Sequence, residues 1–130
     1  MAHLELSTII VDDYDKAIAF FTSALDFELT EDSPSLTNDG RPKRWVVVTP
    51  RGGTTGILLA KADGDVQEAV VGRQVAGRVG FFLRVEDFDA ALGRLVEAKV
   101  EIVKPPQQAD YGRFAVFLDI SGNRWDLLGH

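Results

Sequence analysis

Two charged side chains, Arg84 and Asp126, stand inside segments that are otherwise apolar. Arg84 belongs to the run Val-Gly-Phe-Phe-Leu-Arg-Val at 79–85, and Asp126 to Trp-Asp-Leu-Leu at 125–128. Both segments are typical of strands, and strand alternation would turn these two side chains toward the interior. A buried charge is costly unless it is paired. We therefore expect Arg84 and Asp126 to pair with each other or with a ligand. The structural alternative is that Arg84 extends to a rim and Asp126 caps a turn.

No group of side chains suited to nucleophilic catalysis is visible. The chain has no cysteine, and its two histidines are residues 3 and 130, so a Ser-His-Asp arrangement would have to use the chain ends. The glycine-rich segment 52–56 lacks the lysine and the helix that follow a phosphate-binding loop. Tyr111, in the predicted loop 107–112, is a candidate for stacking on a planar ligand.

Composition narrows the class of protein. The chain has 130 residues, 45% of them hydrophobic, and a net charge of −6, values expected of one soluble globular domain. Its fourteen Lys and Arg are scattered, so no nucleic-acid partner is expected. No apolar run reaches the roughly 20 residues that span a bilayer, and no membrane partner is expected. The lack of cysteine and of a basic-apolar leader is typical of a cytoplasmic protein.

The sequence contains two copies of one pattern. The segment Val-Asp-Asp-Tyr at 11–14 recurs 74 positions later as Val-Glu-Asp-Phe at 85–88, each between a β-rich run and an apolar helical stripe. Further on, Arg-Trp-Val-Val-Val at 44–48 recurs 69 positions later as Arg-Phe-Ala-Val-Phe. The repeat predicts one domain, 1–130, built from module one (1–62), a linker (63–78) and module two (79–130), each module with the order β-α-β-β-β.

Each module has a predicted set of elements. In module one these are a strand at 4–11, a helix at 14–25, a strand at 27–30, a polar loop at 31–43, and strands at 45–49 and 56–60. In module two they are a strand at 79–85, a helix at 88–98, a strand at 101–104, a loop containing two prolines, and strands at 112–118 and 125–128. Helical spacing of apolar residues carries both helix predictions. Asp13 is expected to cap the first helix.

The repeat and the end of the chain resemble a known superfamily. The two strand-Val-x-Asp-helix openings are similar to those of the vicinal oxygen chelate superfamily, which includes glyoxalase I, bleomycin-resistance proteins, fosfomycin-modifying enzymes and extradiol dioxygenases. The segment Asp-Ile-Ser-Gly-Asn-Arg-Trp-Asp-Leu at 119–127 is similar to the superfamily's D-P-x-G-N-x-[WI]-E-L ending. The resemblance covers essentially the whole chain. It implies an α+β, glyoxalase-like fold, in which two βαβββ modules form a barrel-like mixed sheet around a central cavity, and it implies a homodimer.

The metal site of the catalytic members can be checked residue by residue. The resemblance implies one ligand at the start of the first strand of each module and one near the start of each last strand. The offsets of 74 and 69 residues place these positions at Leu6, Gly80, Ile57 and Asp126. A divalent first-row metal needs about three nitrogen or oxygen ligands, and only Asp126 offers one. A divalent metal is therefore disfavoured, and no cofactor is predicted.

The cavity is expected to be mostly apolar with a few polar groups, as in small-molecule sites. Its expected ligand-binding residues are Leu6, Thr8, Ile57, Phe82, Arg84, Tyr111 and Asp126. The chain is thus predicted to be a metal-free binder of an aromatic or cationic small molecule. The alternative is a lyase, isomerase or dioxygenase of the same superfamily, with a relocated metal or a metal-independent mechanism. A third alternative is a regulatory or scaffold protein with a vestigial cavity.

Overall fold

The computed structural model describes residues 1–130 and contains two four-stranded sheets with three helices. The elements are β1 (Leu6–Val11), α1 (Tyr14–Ser23), β2 (Phe27–Leu36), β3 (Pro42–Pro50), β4 (Gly56–Lys61), α2 (Asp65–Val70), β5 (Val79–Arg84), α3 (Phe88–Glu97), β6 (Ile102–Ala109), β7 (Gly112–Leu118) and β8 (Arg124–Gly129). The first sheet has the strand order β1-β4-β3-β2 and the second β5-β8-β7-β6. The strands β1 and β4, and likewise β5 and β8, are parallel, and all other neighbours are antiparallel.

The prediction of an α+β fold from two βαβββ modules is confirmed. No strand of one sheet pairs with a strand of the other, so the sheets do not close into a barrel. None of the helices is long and apolar enough to cross a membrane.

Both long helices begin where an aspartate caps them. The Asp13 carboxylate accepts the Lys16 N–H at 2.9 Å, and the Asp87 carboxylate accepts the Ala90 N–H at 3.0 Å. Each bond satisfies a backbone donor that the first helical turn would leave free. The predicted starts of α1 and α3 are thereby confirmed, while the helices end two residues and one residue earlier than predicted.

Helices α1 and α3 pack against one face of each sheet, which we call the core face. In the first sheet this face carries Ile9, Val46, Val48, Ile57 and Leu59, and in the second it carries Ala115, Phe117, Trp125 and Leu127, all buried. These residues form one hydrophobic cluster. The Phe21 ring of α1 lies 5.8 Å from the Trp125 ring of β8, so the two modules share a core.

Two predictions about loops are wrong. Residues 31–36 continue β2 and residues 42–44 begin β3, although 31–43 was expected to be a loop. Strand β2 is an edge strand exposed along most of its length, so its polar side chains show no alternation. Strand β6 similarly runs through Pro105 and Pro106, which an edge strand tolerates, and the ladder shifts register between Lys104 and Gln107. The linker contains the short helix α2.

The linker also contacts the edge of the first sheet. The Gln74 side chain accepts the Ile10 N–H at 2.9 Å and donates to the Thr8 carbonyl at 2.8 Å. Because β1 is an edge strand, these bonds occupy main-chain groups that would otherwise be free to pair with another strand.

Candidate functional site

The faces of the two sheets that point away from the core carry most of the predicted site. We call them the open faces. The strand register places Leu6, Thr8, Val47 and Leu58 on the open face of the first sheet, and Phe82, Arg84, Phe114, Val116, Asp126 and Leu128 on that of the second. Phe82 is 65% exposed, so within one chain its ring is uncovered. The expected central cavity between these faces is therefore not enclosed by a single chain.

Asp126 lies in the middle of the open face of the second sheet. It is opposite Phe82 on β5 and Val116 on β7, and Val116 is in turn opposite Lys104 on β6. The Oδ1 atom of Asp126 is buried and has no hydrogen-bond partner. Burial among apolar neighbours raises the pKa of this carboxyl, and the charge of Lys104 opposes the rise. An unpartnered carboxylate oxygen on an apolar face is suited to accepting a hydrogen bond from a ligand.

The expected ion pair between Arg84 and Asp126 is not formed. Arg84 is exposed and takes part in no salt bridge within the chain. It lies opposite Leu128, two residues along β8 from Asp126. Asp126 does not cap a turn either. Pairing of Asp126 or Arg84 with a ligand stays a prediction.

Lys104 and Phe114 belong to this face and were not among the predicted residues. The Lys104 Nζ lies 5.3 Å from the centroid of the Phe114 ring, within the range of a cation–π contact. Strand parity in Gly112–Leu118, which puts Phe114 and Val116 on the same side as each other, could have identified the phenylalanine. The lysine depends on the irregular register of β6, which the sequence does not reveal.

Tyr111 lies at the end of the same face. It is 56% exposed in the turn between β6 and β7, and its ring centroid is 6.0 Å from that of Phe114. The structure thus brings Phe82, Arg84, Asp126 and Tyr111 to one sheet, and Leu6 and Thr8 to the open face of the other.

The placement of Ile57 beside Leu6 and Thr8 is wrong. Ile57 is 7% exposed and lies on the core face, opposite Val48 and Ser7. Val46 on β3 lies opposite Leu59 on β4, and the equivalent pair in the second sheet is Ala115 on β7 opposite Leu127 on β8. The repeat offset is therefore 69 residues between β3 and β7 but 68 residues between β4 and β8. A shift of one residue reverses the face of a strand residue. The counterpart of Asp126 is therefore Leu58, which has no coordinating side chain.

The side chains present do not fit a divalent metal. Leu6 and Gly80 hold the two first-strand positions, and Leu58 is the counterpart of Asp126. None of these three side chains can coordinate a metal. No group of three His, Cys, Asp or Glu is assembled anywhere in the chain. His3 is occupied at the surface, where its Nε2 lies 2.9 Å from the Glu5 carboxylate. A metal-dependent lyase or dioxygenase mechanism thus finds no ligand set here.

The segment 119–127 has a structural role. The buried Asp119 carboxylate accepts the backbone N–H groups of Ser121, Gly122 and Asn123 at 2.9 to 3.0 Å. It also accepts the Asn123 amide at 3.0 Å and the Trp125 indole N–H at 2.9 Å. These bonds fix the turn into β8 and the position of Trp125 in the core. The motif therefore indicates the fold and does not indicate a reaction.

The fold is that of a protein with a duplicated βαβββ module, in which each module contributes one four-stranded sheet. The family model of the Glyoxalase/Bleomycin resistance protein/Dioxygenase superfamily matches residues 1–127, and the chain belongs to this superfamily. It is 44% identical to an uncharacterized protein of Shewanella frigidimarina (strain NCIMB 400) over 92% of this chain and 87% of that protein.

Two solved structures are similar over nearly their whole length. UcmS2 superposes with a TM-score of 0.80 at 32% identity, covering 98% of each chain. TnmS3, described as an antibiotic binding protein from Streptomyces sp. CB03234, superposes with a TM-score of 0.76 at 30% identity, covering 99% of this chain and 96% of that one.

Proposed function

We propose that this protein binds a small molecule without a metal, and that the ligand combines an aromatic or apolar body with a cationic or hydrogen-bond-donating group. The observation that carries the proposal is the buried, unpartnered Oδ1 of Asp126 on the apolar open face of the second sheet. The ligand body would lie on Phe82 and Val116, with its donor group on the Asp126 carboxylate.

The energetics favour this arrangement. A buried polar atom without a partner costs about 1–3 kcal/mol, and a hydrogen bond to a charged group contributes about 1.5–3 kcal/mol. A ligand that donates to Asp126 would recover that cost, whereas an uncharged ligand without a donor would not. The rings of Phe82 and Tyr111 are exposed and offer surfaces for stacking.

The proposal includes a homodimer in which a second copy covers the open faces. Phe82 is a large apolar side chain left 65% exposed in the single chain, and exposed apolar faces of this kind are typical of interaction surfaces. Leu6 and Thr8 of one copy would then complete the site built on the second sheet of the other. A cytoplasmic location, expected from the sequence, belongs to the same proposal.

The structural neighbours support small-ligand binding as the general activity. TnmS3 is described as an antibiotic binding protein and shares 30% of its aligned residues with this chain over nearly the whole length. The identity of the ligand does not transfer with the fold, because ligands are recognised by side chains at the site.

A ligand screen tests the proposal. Thermal unfolding would be followed with a panel of aromatic amines and with neutral molecules of the same shape, since a ligand that binds only the folded state raises the melting temperature. We expect amines to stabilise the wild type and to lose the effect in Asp126→Asn, while Asp12→Asn, an exposed control, keeps it. The metal-free part is tested by elemental analysis after exposure to nickel, zinc, manganese and iron. Retention of about one ion per chain would contradict it.

A further inference from the structure

The open face of the second sheet is arranged in rows that run across the strands. In one row, Asp126 on β8 lies beside Phe82 on β5. In the next row, Leu128 on β8 lies between Arg84 on β5 and Phe114 on β7. Residues two positions apart on a strand, as Asp126 and Leu128 are, lie about 7 Å from each other. The carboxylate and the Arg84 guanidinium therefore belong to neighbouring rows of one face.

Lys104 on β6 brings a second cation to the row of Leu128. Its Nζ lies 5.3 Å from the centroid of the Phe114 ring. Because Phe114 and Arg84 are on opposite sides of Leu128, the two cationic side chains flank this leucine. Burial raises the pKa of Asp126, and the charge of Lys104 opposes the rise, so the ammonium group also acts on the carboxylate.

Neither cation has an acidic partner in the chain. Arg84 and Lys104 are exposed and take part in no salt bridge. Asp126 forms no salt bridge with Lys104, and its buried Oδ1 has no hydrogen-bond partner. The face thus presents one unpaired carboxylate and, one row away, two unpaired cations.

The charges on the other side of Asp126 do not change this arrangement. Arg124 on β8 lies opposite Leu118 on β7, and the Leu118 N–H donates to the Glu101 carbonyl at 3.0 Å. This third row therefore contains one residue of each charge. A ligand with only a cationic group would meet three basic residues and two acidic ones on the face. A ligand with an anionic group beside its donor group complements these charges better.

We propose that the ligand of this face is amphoteric, an aromatic molecule with a donor group for Asp126 and an anionic group, such as a carboxylate, between Arg84 and Lys104. This inference rests on the proposed function and adds to it the second polar group and the two residues that select it. The aromatic body lies along β8 from Asp126 to Leu128, beside the Phe114 ring. The two polar groups of the ligand are about 7 Å apart, the spacing of alternate residues on a strand.

Calorimetric titration with three matched ligands tests the proposal. The zwitterion 4-(aminomethyl)benzoate carries both groups, its methyl ester keeps only the amine, and 4-methylbenzoate keeps only the carboxylate. Each exposed charge pair contributes roughly two- to fivefold in affinity, so the wild type should bind the zwitterion about 4- to 25-fold more tightly than the ester. This preference should shrink as salt rises, because both cations are exposed.

Variants assign the preference to particular side chains. Arg84→Gln/Lys104→Gln should bind the zwitterion and the ester equally. The matched double variant Lys16→Gln/Lys99→Gln removes the same charge from exposed positions outside the sheets and should keep the preference. Asp126→Asn should weaken the zwitterion and the ester alike, since both donate to this carboxylate.

The outcomes separate this inference from the proposed function. Equal binding of the zwitterion and the ester by the wild type would overturn the amphoteric ligand and leave the donor site on Asp126 intact. A preference that persists in Arg84→Gln/Lys104→Gln would overturn the role of these two cations. No binding of either amine, or binding of 4-methylbenzoate as tight as that of the zwitterion, would overturn the proposed function together with this inference.

Discussion

Replacing Asp119 by alanine gives a direct measure of what the motif at 119–127 does. The change removes the acceptor of three backbone N–H groups, the Asn123 amide and the Trp125 indole N–H. Asn123 and Trp125 are only 3% and 2% exposed, so water reaches their donors poorly. At about 1–3 kcal/mol for each buried donor left unsatisfied, the two side-chain donors of these residues alone predict a loss of about 2–6 kcal/mol.

That loss is a large part of the roughly 5–15 kcal/mol by which a domain is usually stable. The assay is urea unfolding at fixed protein concentration, with Asp12→Ala as the exposed control. With a slope of about 2 kcal/mol per molar urea, the midpoint should fall by about 2 M in Asp119→Ala, without a change of slope. A midpoint shift below about 0.5 M would show that the Asp119 bonds do not hold the turn, and would refute the structural interpretation of the motif.

Three further outcomes follow from the geometry. Burial raises the pKa of Asp126 in the folded state, so the free energy of unfolding of the wild type should fall relative to that of Asp126→Asn as pH rises from below the ordinary carboxyl pKa through the raised pKa. Unfolding free energies of both proteins measured across this pH window test the prediction, and a constant difference between them would contradict the burial of the carboxyl. Gly56→Ala would place a Cβ 2.7 Å from a Val47 methyl group and should lower the free energy of unfolding by about 1–3 kcal/mol. Gly93→Ala, at an exposed helical position with open space around it, should raise the free energy of unfolding by about 0.5–1 kcal/mol, and similar melting temperatures for the two variants would contradict the packing of the open face. Phe82→Asp should weaken self-association in sedimentation measurements while leaving the secondary structure unchanged, and a dimer of unaltered stability would show that Phe82 lies outside the interface.

Much of the fold could be predicted from the sequence because its local signals agree. Asp13 and Asp87 mark both helix starts, and the apolar residues of α1 and α3 recur at helical spacing. The repeat then fixed the order of elements in each module. The polar parts of β2 and β6 were not predicted as strands, because an edge strand that is exposed on both faces has no alternation of apolar and polar residues.

The candidate site was predicted less completely. Phe82, Arg84 and Asp126 lie on one face of the sheet, as strand alternation predicts. Arg84 lies opposite Leu128, whereas Asp126 lies opposite Phe82, and the two charged side chains do not pair. Ile57 was assigned to the wrong face because the repeat offset changes from 69 to 68 between the last two strands of each module. A loop one residue shorter leaves no mark on the composition of the strand that follows it, so this error could be found only from the register.

The central claim is that Asp126 binds the donor group of a ligand on the open face of the second sheet. The most direct test is calorimetry of one stabilising aromatic amine and its neutral isostere, each with wild type and Asp126→Asn. We predict that the amine loses about 1.5–3 kcal/mol of binding free energy in the variant, roughly 10- to 150-fold in Kd, while the isostere loses little. Equal binding of the amine by both proteins would contradict the claim.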